Sequence, residues 1–152
     1  MIRKAKIKEA AKLQEMINFY AAKNMMLPRS LNEIYENIRD FFVYEKDGKI
    51  VGCCALHVCW QDLAEVKSLA VAPKYKSKGV GKELVEKALD EAKALGVKRV
   101  FALTYVPAFF RKCGFKPISK SKLPQKIWGE CINCVKFPNC DENPMICEIG
   151  NR

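Results

Sequence analysis

Leu69-Ala70-Val71-Ala72-Pro73-Lys74-Tyr75-Lys76-Ser77-Lys78-Gly79-Val80-Gly81-Lys82-Glu83-Leu84 is the stretch on which the fold turns. Its apolar start closes a strand, Glu65 to Val71, that stops at Pro73. Leu84, Val85, Ala88, Ala92 and Leu95 then recur at helical spacing from about Val80 to Leu95, and Gly96 ends the helix as a C′ residue. Val97 to Thr104 is a second β-branched and aromatic run. Strand, loop, helix and strand make a right-handed crossover, so the two strands are parallel. Gly79 and Gly81 allow a ligand close to the backbone, the first helical N–H groups point outward, and Lys74, Lys76, Lys78 and Lys82 add charge. This is an anion site suited to a pyrophosphate. A solvated basic turn fits the same residues. Neither the three-glycine dinucleotide fingerprint nor the Gly-Lys-Ser/Thr phosphate loop is present.

Upstream, residues 2–7 form a short strand. Leu13, Met16, Ile17 and Tyr20 mark a helix packed on a core, and Pro28 breaks the chain. Ser30 with Glu33 has the form of a capping box before Leu31, Ile34, Tyr35 and Ile38, which sets Arg29 and Ser30 at a helix mouth. Phe41 to Tyr44, Asp47-Gly48 and Ile50 to Leu56 predict a hairpin with a type I′ turn. Downstream, Pro117, Pro124, Pro138 and Pro144 punctuate a segment holding Cys131, Cys134 and Cys140, followed by the apolar stretch Met145 to Ile149 with Cys147. The class is mixed α/β: one domain over residues 1–128 and a cysteine-containing tail, 129–152, completing it.

A chain of 152 residues is the size of one domain. Lys+Arg exceed Asp+Glu by 27 to 17, a net charge of +10, which favours anionic partners. Ile50 to Trp60 falls short of the roughly 18 apolar residues of a membrane span, and the N-terminus has no secretory pattern, so the expectation is a cytoplasmic protein that does not enter a membrane. The eight cysteines leave the redox state open. Cys131, Cys134, Cys140 and Cys147 have spacings compatible with a structural Zn²⁺ in a Cys₄ site, and equally with disulfides or thiols. His57, in an apolar strand, reads as structural, and Cys113, with no histidine nearby, as core.

The loop at 76–81 resembles motif A of the GNAT superfamily of acetyl-CoA-dependent N-acetyltransferases, with Lys76 at the family's Arg/Gln position. The order of elements over about residues 1–120 is similar as well. The resemblance implies a GNAT-like sheet with a splayed parallel pair, acetyl-CoA as cosubstrate, and cofactor contacts from Leu69, Ala70, Val71, Lys76, Ser77, Lys78, Gly79, Val80, Gly81, Lys82 and Phe110. Simple alternation places Glu65, Lys67, Leu69 and Val71 on one strand face.

Met26-Leu27-Pro28-Arg29-Ser30, Leu103-Thr104-Tyr105 and Phe109-Phe110-Arg111-Lys112-Cys113-Gly114-Phe115 resemble segments of the bacterial N-acetylglutamate synthases. That resemblance implies glutamate as acceptor and the opening step of arginine biosynthesis, with Arg29, Ser30, Lys67 and Thr104 at the substrate. Arginine suits a carboxylate because its guanidinium bonds it in a bidentate manner. An ammonium must lose a proton before it attacks, and Glu65 is the carboxylate on the presumed face. Many relatives protonate the departing thiolate with a tyrosine where this chain has Phe110, leaving either Tyr105 as substitute or direct departure of the CoA thiolate, which is a good leaving group. Lys126 and Trp128 are further site candidates. A different small amine or a protein N-terminus is a second acceptor class. A basic nucleic-acid-binding module with a zinc-ribbon-like tail is a third reading, which the single aromatic in the lysine loop, Tyr75, disfavours. A homodimer fits all of these.

Overall fold

Asp47 and Gly48 take φ values of +53° and +77°, both positive as a type I′ turn requires, and they join β2 (Phe41–Lys46) to β3 (Lys49–Trp60). The computed structural model describes residues 1–123 and 142–151. Within them β1 (Ile2–Lys4) flanks β2, and α1 (Ala10–Ala21) and α2 (Leu31–Glu36) precede the hairpin. β4 (Leu63–Val71), α3 (Val80–Leu95), β5 (Arg99–Thr104), α4 (Pro107–Lys112), β6 (Lys116–Pro117) and β7 (Asn143–Glu148) follow. The strands form one sheet in the order β1-β2-β3-β4-β5-β7-β6, in which β4 and β5 are parallel and the other neighbours antiparallel.

Each face carries its own core. On one side α3 lays Leu84, Val85, Ala88, Leu89 and Ala92, all fully buried, over Cys54, Leu56, Ala64, Val66, Val100 and Ala102. α3 lies close because residue 52 is glycine: a Cβ there would come within 2.9 Å of both Leu84 Cδ1 and Val80 Cγ1. Gly96, at φ +86°, ends α3 by donating its N–H to the Ala92 and Lys93 carbonyls. On the other side Leu13, Met16, Ile17 and Tyr20 of α1 meet Val43, Cys53, Ala55 and Ala70. A smaller cluster, Leu63, Phe101, Leu123 and Ile146, extends that face under β5 and β7. At the sheet edge Arg3 pairs with both Glu9 oxygens at 2.9 and 2.7 Å and with Glu45 at 2.8 Å, tying β1 to β2 and to the start of α1.

Three expectations need correction. β3 runs on to Trp60, beyond Leu56, and β4 begins at Leu63; the outward Val58 and Trp60, 48% and 57% exposed, hide the strand from an apolar-run reading. In α2 only Ile34 is buried, while Tyr35 is 46% exposed, because the helix ends at Glu36 and hands over to a 3₁₀ turn, Ile38–Asp40. Alternation along β4 is broken by a bulge. Cys53 opposes Ala70 and Ala55 opposes Lys67, so two steps on β3 match three on β4, with Ser68 at φ +56°. Glu65 and Lys67 therefore share the α1 face, whereas Leu69 and Val71 pack toward α3.

Candidate active site

The parallel pair is short. β4 and β5 are joined only through Leu63/Arg99, Ala64/Val100 and Glu65/Phe101; both strands continue past that point without pairing each other. A wedge opens there, with β4 as one wall, and its mouth leads to the loop before α3. Ser77 and Gly79 take φ values of +62° and +85°, turning the backbone so that α3 starts at Val80. Among the described residues no side chain caps this end of α3, and the N–H groups of its first turn are suited to an anion. Lys76, Lys78 and Lys82 stand exposed around it, as does Lys74 at the preceding turn. Gly81 faces the Phe109 ring, at 3.4 Å from where a Cβ would stand, and Val71 Cγ2 at 3.7 Å. The Tyr20 hydroxyl donates to the Val71 carbonyl, and Lys76 Nζ lies 4.6 Å from the Tyr20 ring centroid, so α1 fixes the end of β4 and one side of the loop.

Arg29 lies on the α1 face. Its backbone N–H donates to Asn18 Oδ1 at 3.1 Å, and its carbonyl accepts from Asn18 Nδ2 at 3.4 Å and Gln14 Nε2 at 3.3 Å. This clamp directs the guanidinium to the bulge, where Nε donates to Ser68 Oγ at 3.4 Å and Nη1 lies 3.7 Å from Glu33 Oε2. Glu65, only 7% exposed, occupies the same sheet face directly opposite His57 on β3, and Lys67 is next on that face. His57 Nδ1 is 2.7 Å from Asp40 Oδ2.

Other expected site residues serve elsewhere. Phe110 is 4% exposed, edge-to-face with Phe109 and Phe115 in the core, so it is a packing residue; Phe109 is the ring at the loop. Thr104 is buried, and its hydroxyl accepts the Val106 N–H at 2.9 Å at the turn into α4. Ser30 Oγ accepts the Glu33 N–H at 3.1 Å, as the capping box predicted, which engages the hydroxyl in starting α2. Tyr105 is half-buried at the end of β5. Cys147 sits in the α3-side core at 4% exposure, at odds with a place in an open metal site, and no group of three metal-ligating side chains occurs among the described residues. Cys131, Cys134, Cys140, Lys126 and Trp128 lie outside those residues. Burial pushes the Cys53 thiol up to about 12 and raises that of Cys54, so neither is a nucleophile near neutral pH. Cys113 is core, as expected.

The model of the acetyltransferase (GNAT) family matches residues 10–115, from α1 to the turn after α4. The chain belongs to the GNAT family. An uncharacterized N-acetyltransferase of Chlorobaculum tepidum is 43% identical over 145 residues, covering 95% of this chain and 94% of that one. An amino-acid acetyltransferase of Mycobacterium tuberculosis is 34% identical over 133 residues, 86% of this chain and 76% of its own length. The crystal structure of N-acetylglutamate synthase from Neisseria gonorrhoeae, complexed with coenzyme A and N-acetyl-glutamate, superposes with a TM-score of 0.90 at 25% identity. The match covers 98% of this chain and 35% of that one. As a GNAT protein this chain is an acetyltransferase.

Sequence reasoning missed Phe109, Ser68, and the Asn18 and Gln14 clamp. Gly81 was the available signal for Phe109, since a glycine in a helix's first turn marks something close. Nothing local announced the others: Asn18 and Gln14 lie on the polar side of the α1 stripe.

Proposed function

We propose that this GNAT enzyme moves the acetyl group of acetyl-CoA to the α-amine of L-glutamate by direct transfer within a ternary complex. The observation that carries the reading is Arg29, clamped at its backbone and aimed at the bulge of β4, on the face that also presents Glu65 and Lys67. A dicarboxylic amine needs two cations and one base, and this face offers that set. The names of the Mycobacterium tuberculosis and Neisseria gonorrhoeae relatives point the same way.

Acetyl-CoA supplies the acetyl group as an activated thioester. The first-turn amides of α3, with Lys76, Lys78 and Lys82, hold its diphosphate, and Gly79 and Gly81 keep side chains out of its path. Backbone N–H groups of β4 at the wedge stabilise negative charge as it develops on the carbonyl oxygen. Arg29 binds one carboxylate of glutamate and Lys67 the other. Glu65 takes the ammonium proton before attack; the nitrogen loses a second proton as the tetrahedral intermediate collapses, and that proton replaces the one Tyr105 gives to the departing thiolate.

CoA release measured across a panel of amines tests this. Glutamate turns over, and Arg29→Ala raises its KM roughly ten- to hundredfold, the loss of about 1.5–3 kcal/mol from one charge-assisted pair, with the KM for acetyl-CoA unchanged. Equal turnover of lysine or spermidine, or an unaltered glutamate KM in the variant, overturns the acceptor assignment.

A further inference from the structure

Glu65 is shielded from water, with 7% of its surface exposed, so a proton it takes from the substrate needs a way out. The sheet supplies one. His57 is the directly opposed residue on β3, which puts the two side chains on the same face with Cβ atoms about 4.5–5.5 Å apart, in reach of each other directly or through one water. On the far side of His57, Asp40 Oδ2 is 2.7 Å from Nδ1. A carboxylate only accepts, so Nδ1 carries the hydrogen and Nε2 is left as the free acceptor of the neutral ring. His57 and Asp40 are 31% and 25% exposed at their side chains, forming the wet end of a row that runs Asp40, His57, Glu65 across the sheet toward the wedge.

We propose that His57, oriented by Asp40, is a proton relay: Glu65 receives the proton of the substrate ammonium and passes it to His57 Nε2, from which it leaves to solvent. Each turnover moves one proton this way and returns all three groups to their starting state. The inference rests on the reading of Glu65 as the base. An imidazole is suited to the task because its charge changes between pH 5 and 8, whereas a carboxylate alone would have to release the proton from a dry site. Among the described residues the other charged or titratable groups on this face include Lys67 on β4, Cys59 on β3, Arg39 beside Asp40, Arg99 on β5 with Glu148 opposite it on β7, and, beyond the bulge, Arg29 with Glu33. Asp40 is the anion among them that contacts the ring.

The test is steady-state kinetics of the full chain with acetyl-CoA and its best amino-acid acceptor. His57→Ala lowers kcat about ten- to hundredfold with both KM values within twofold, and added imidazole restores the rate in the variant while leaving the wild type unchanged. Asp40→Asn replaces the charged acceptor of the Nδ1 hydrogen by an amide, so the ring is less firmly oriented and kcat falls several-fold with both KM values within twofold. Should His57→Ala fail to fold, His57→Gln and Asp40→Asn carry the test through kcat against KM. No rescue by imidazole in a folded His57→Ala, or an unchanged kcat in Asp40→Asn, overturns the relay and leaves the pair as a clamp between β3 and the preceding turn. Glu65→Gln separates the two claims. If it keeps wild-type kcat, the base assignment fails and the relay with it; if it collapses while the His57 and Asp40 variants match the wild type in rate, only the relay fails.

Discussion

Alanine at residue 52 probes how the anion-binding helix is seated. Its Cβ would stand 2.9 Å from Val80 Cγ1 and from Leu84 Cδ1, and 3.4 Å from the Ala70 carbonyl oxygen. The two carbon contacts are a full 0.5 Å or more inside a comfortable carbon–carbon separation of about 3.5–4.0 Å. Leu84 is fully buried and Val80 is 5% exposed with a stiff β-branched side chain, so neither can swing aside into water. The helix has to lift instead. Overpacking of this kind costs about 1–3 kcal/mol, which for a domain of this size lowers Tm by about 2–4 °C per kcal/mol. The lift is greatest at the first turn, where Val80 sits, so the amides proposed to hold the diphosphate move as well and the KM for acetyl-CoA rises several-fold. Thermal unfolding by circular dichroism and steady-state kinetics read both effects. A double-mutant cycle with Val80→Ala, which deletes the clashing Cγ1, recovers at least about 0.5 kcal/mol of coupling. An unchanged Tm and KM in Gly52→Ala, or strict additivity in the cycle, would refute the reasoning.

Gly79→Ala forces a Cβ into φ +85° with open space around it, so the cost is backbone strain of about 1 kcal/mol. The expected result is a Tm lower by a few degrees together with weaker acetyl-CoA binding by calorimetry; a purely thermal effect would argue against the loop's role. Phe109→Ala removes the ring against Gly81 and should raise the KM for acetyl-CoA more than it lowers Tm, because Phe109 is half-exposed while Phe110 beneath it holds the core. Phe110→Ala should show the reverse, with about 3–5 kcal/mol lost. The Arg3 guanidinium, through its paired hydrogen bonds, holds the Glu9 carboxyl down to about 2. Because the folded value lies below the ordinary one, that stabilisation is complete above about pH 4.5 and fades as pH falls toward 2. Glu9→Gln should therefore cost about 1–2 kcal/mol at pH 7, solvent screening included, and converge with the wild type in acid urea titrations.

The legible parts of the fold were those written in local chemistry. Gly96 stops α3 where it does because only a residue free to adopt a left-handed conformation suits a C′ site, and Asp47-Gly48 announces its own turn. The stripe Leu13, Met16, Ile17 and Tyr20 faces the core as read. At the loop the glycines and lysines stand at the start of α3 as their spacing foretold, and Arg29 precedes the N-cap of α2. Features set by tertiary packing were not. The bulge at Ser68 depends on β3 and β4 differing by one residue in register, which alternation within β4 cannot reveal, and it moved Leu69 and Val71 to the other face. Phe109 and Phe110 are adjacent rings of equal propensity, and only the seat of α4 on the sheet decides which one is buried. The hydrogen bond from the Val106 N–H to Thr104 is likewise set by the path of the chain into α4, which no local pattern announces.

The seven strands behave as two plates, β1 to β4 and β5 to β7, riveted together by the three residue pairs of β4 and β5. Past the last rivet the facing edges of β4 and β5 make no ladder with each other. If the proposed acyl carrier lies extended in that gap, its amides would bridge the two edges and splint the plates, so part of the rigidity needed for chemistry would arrive with the molecule that is consumed and depart with its remnant.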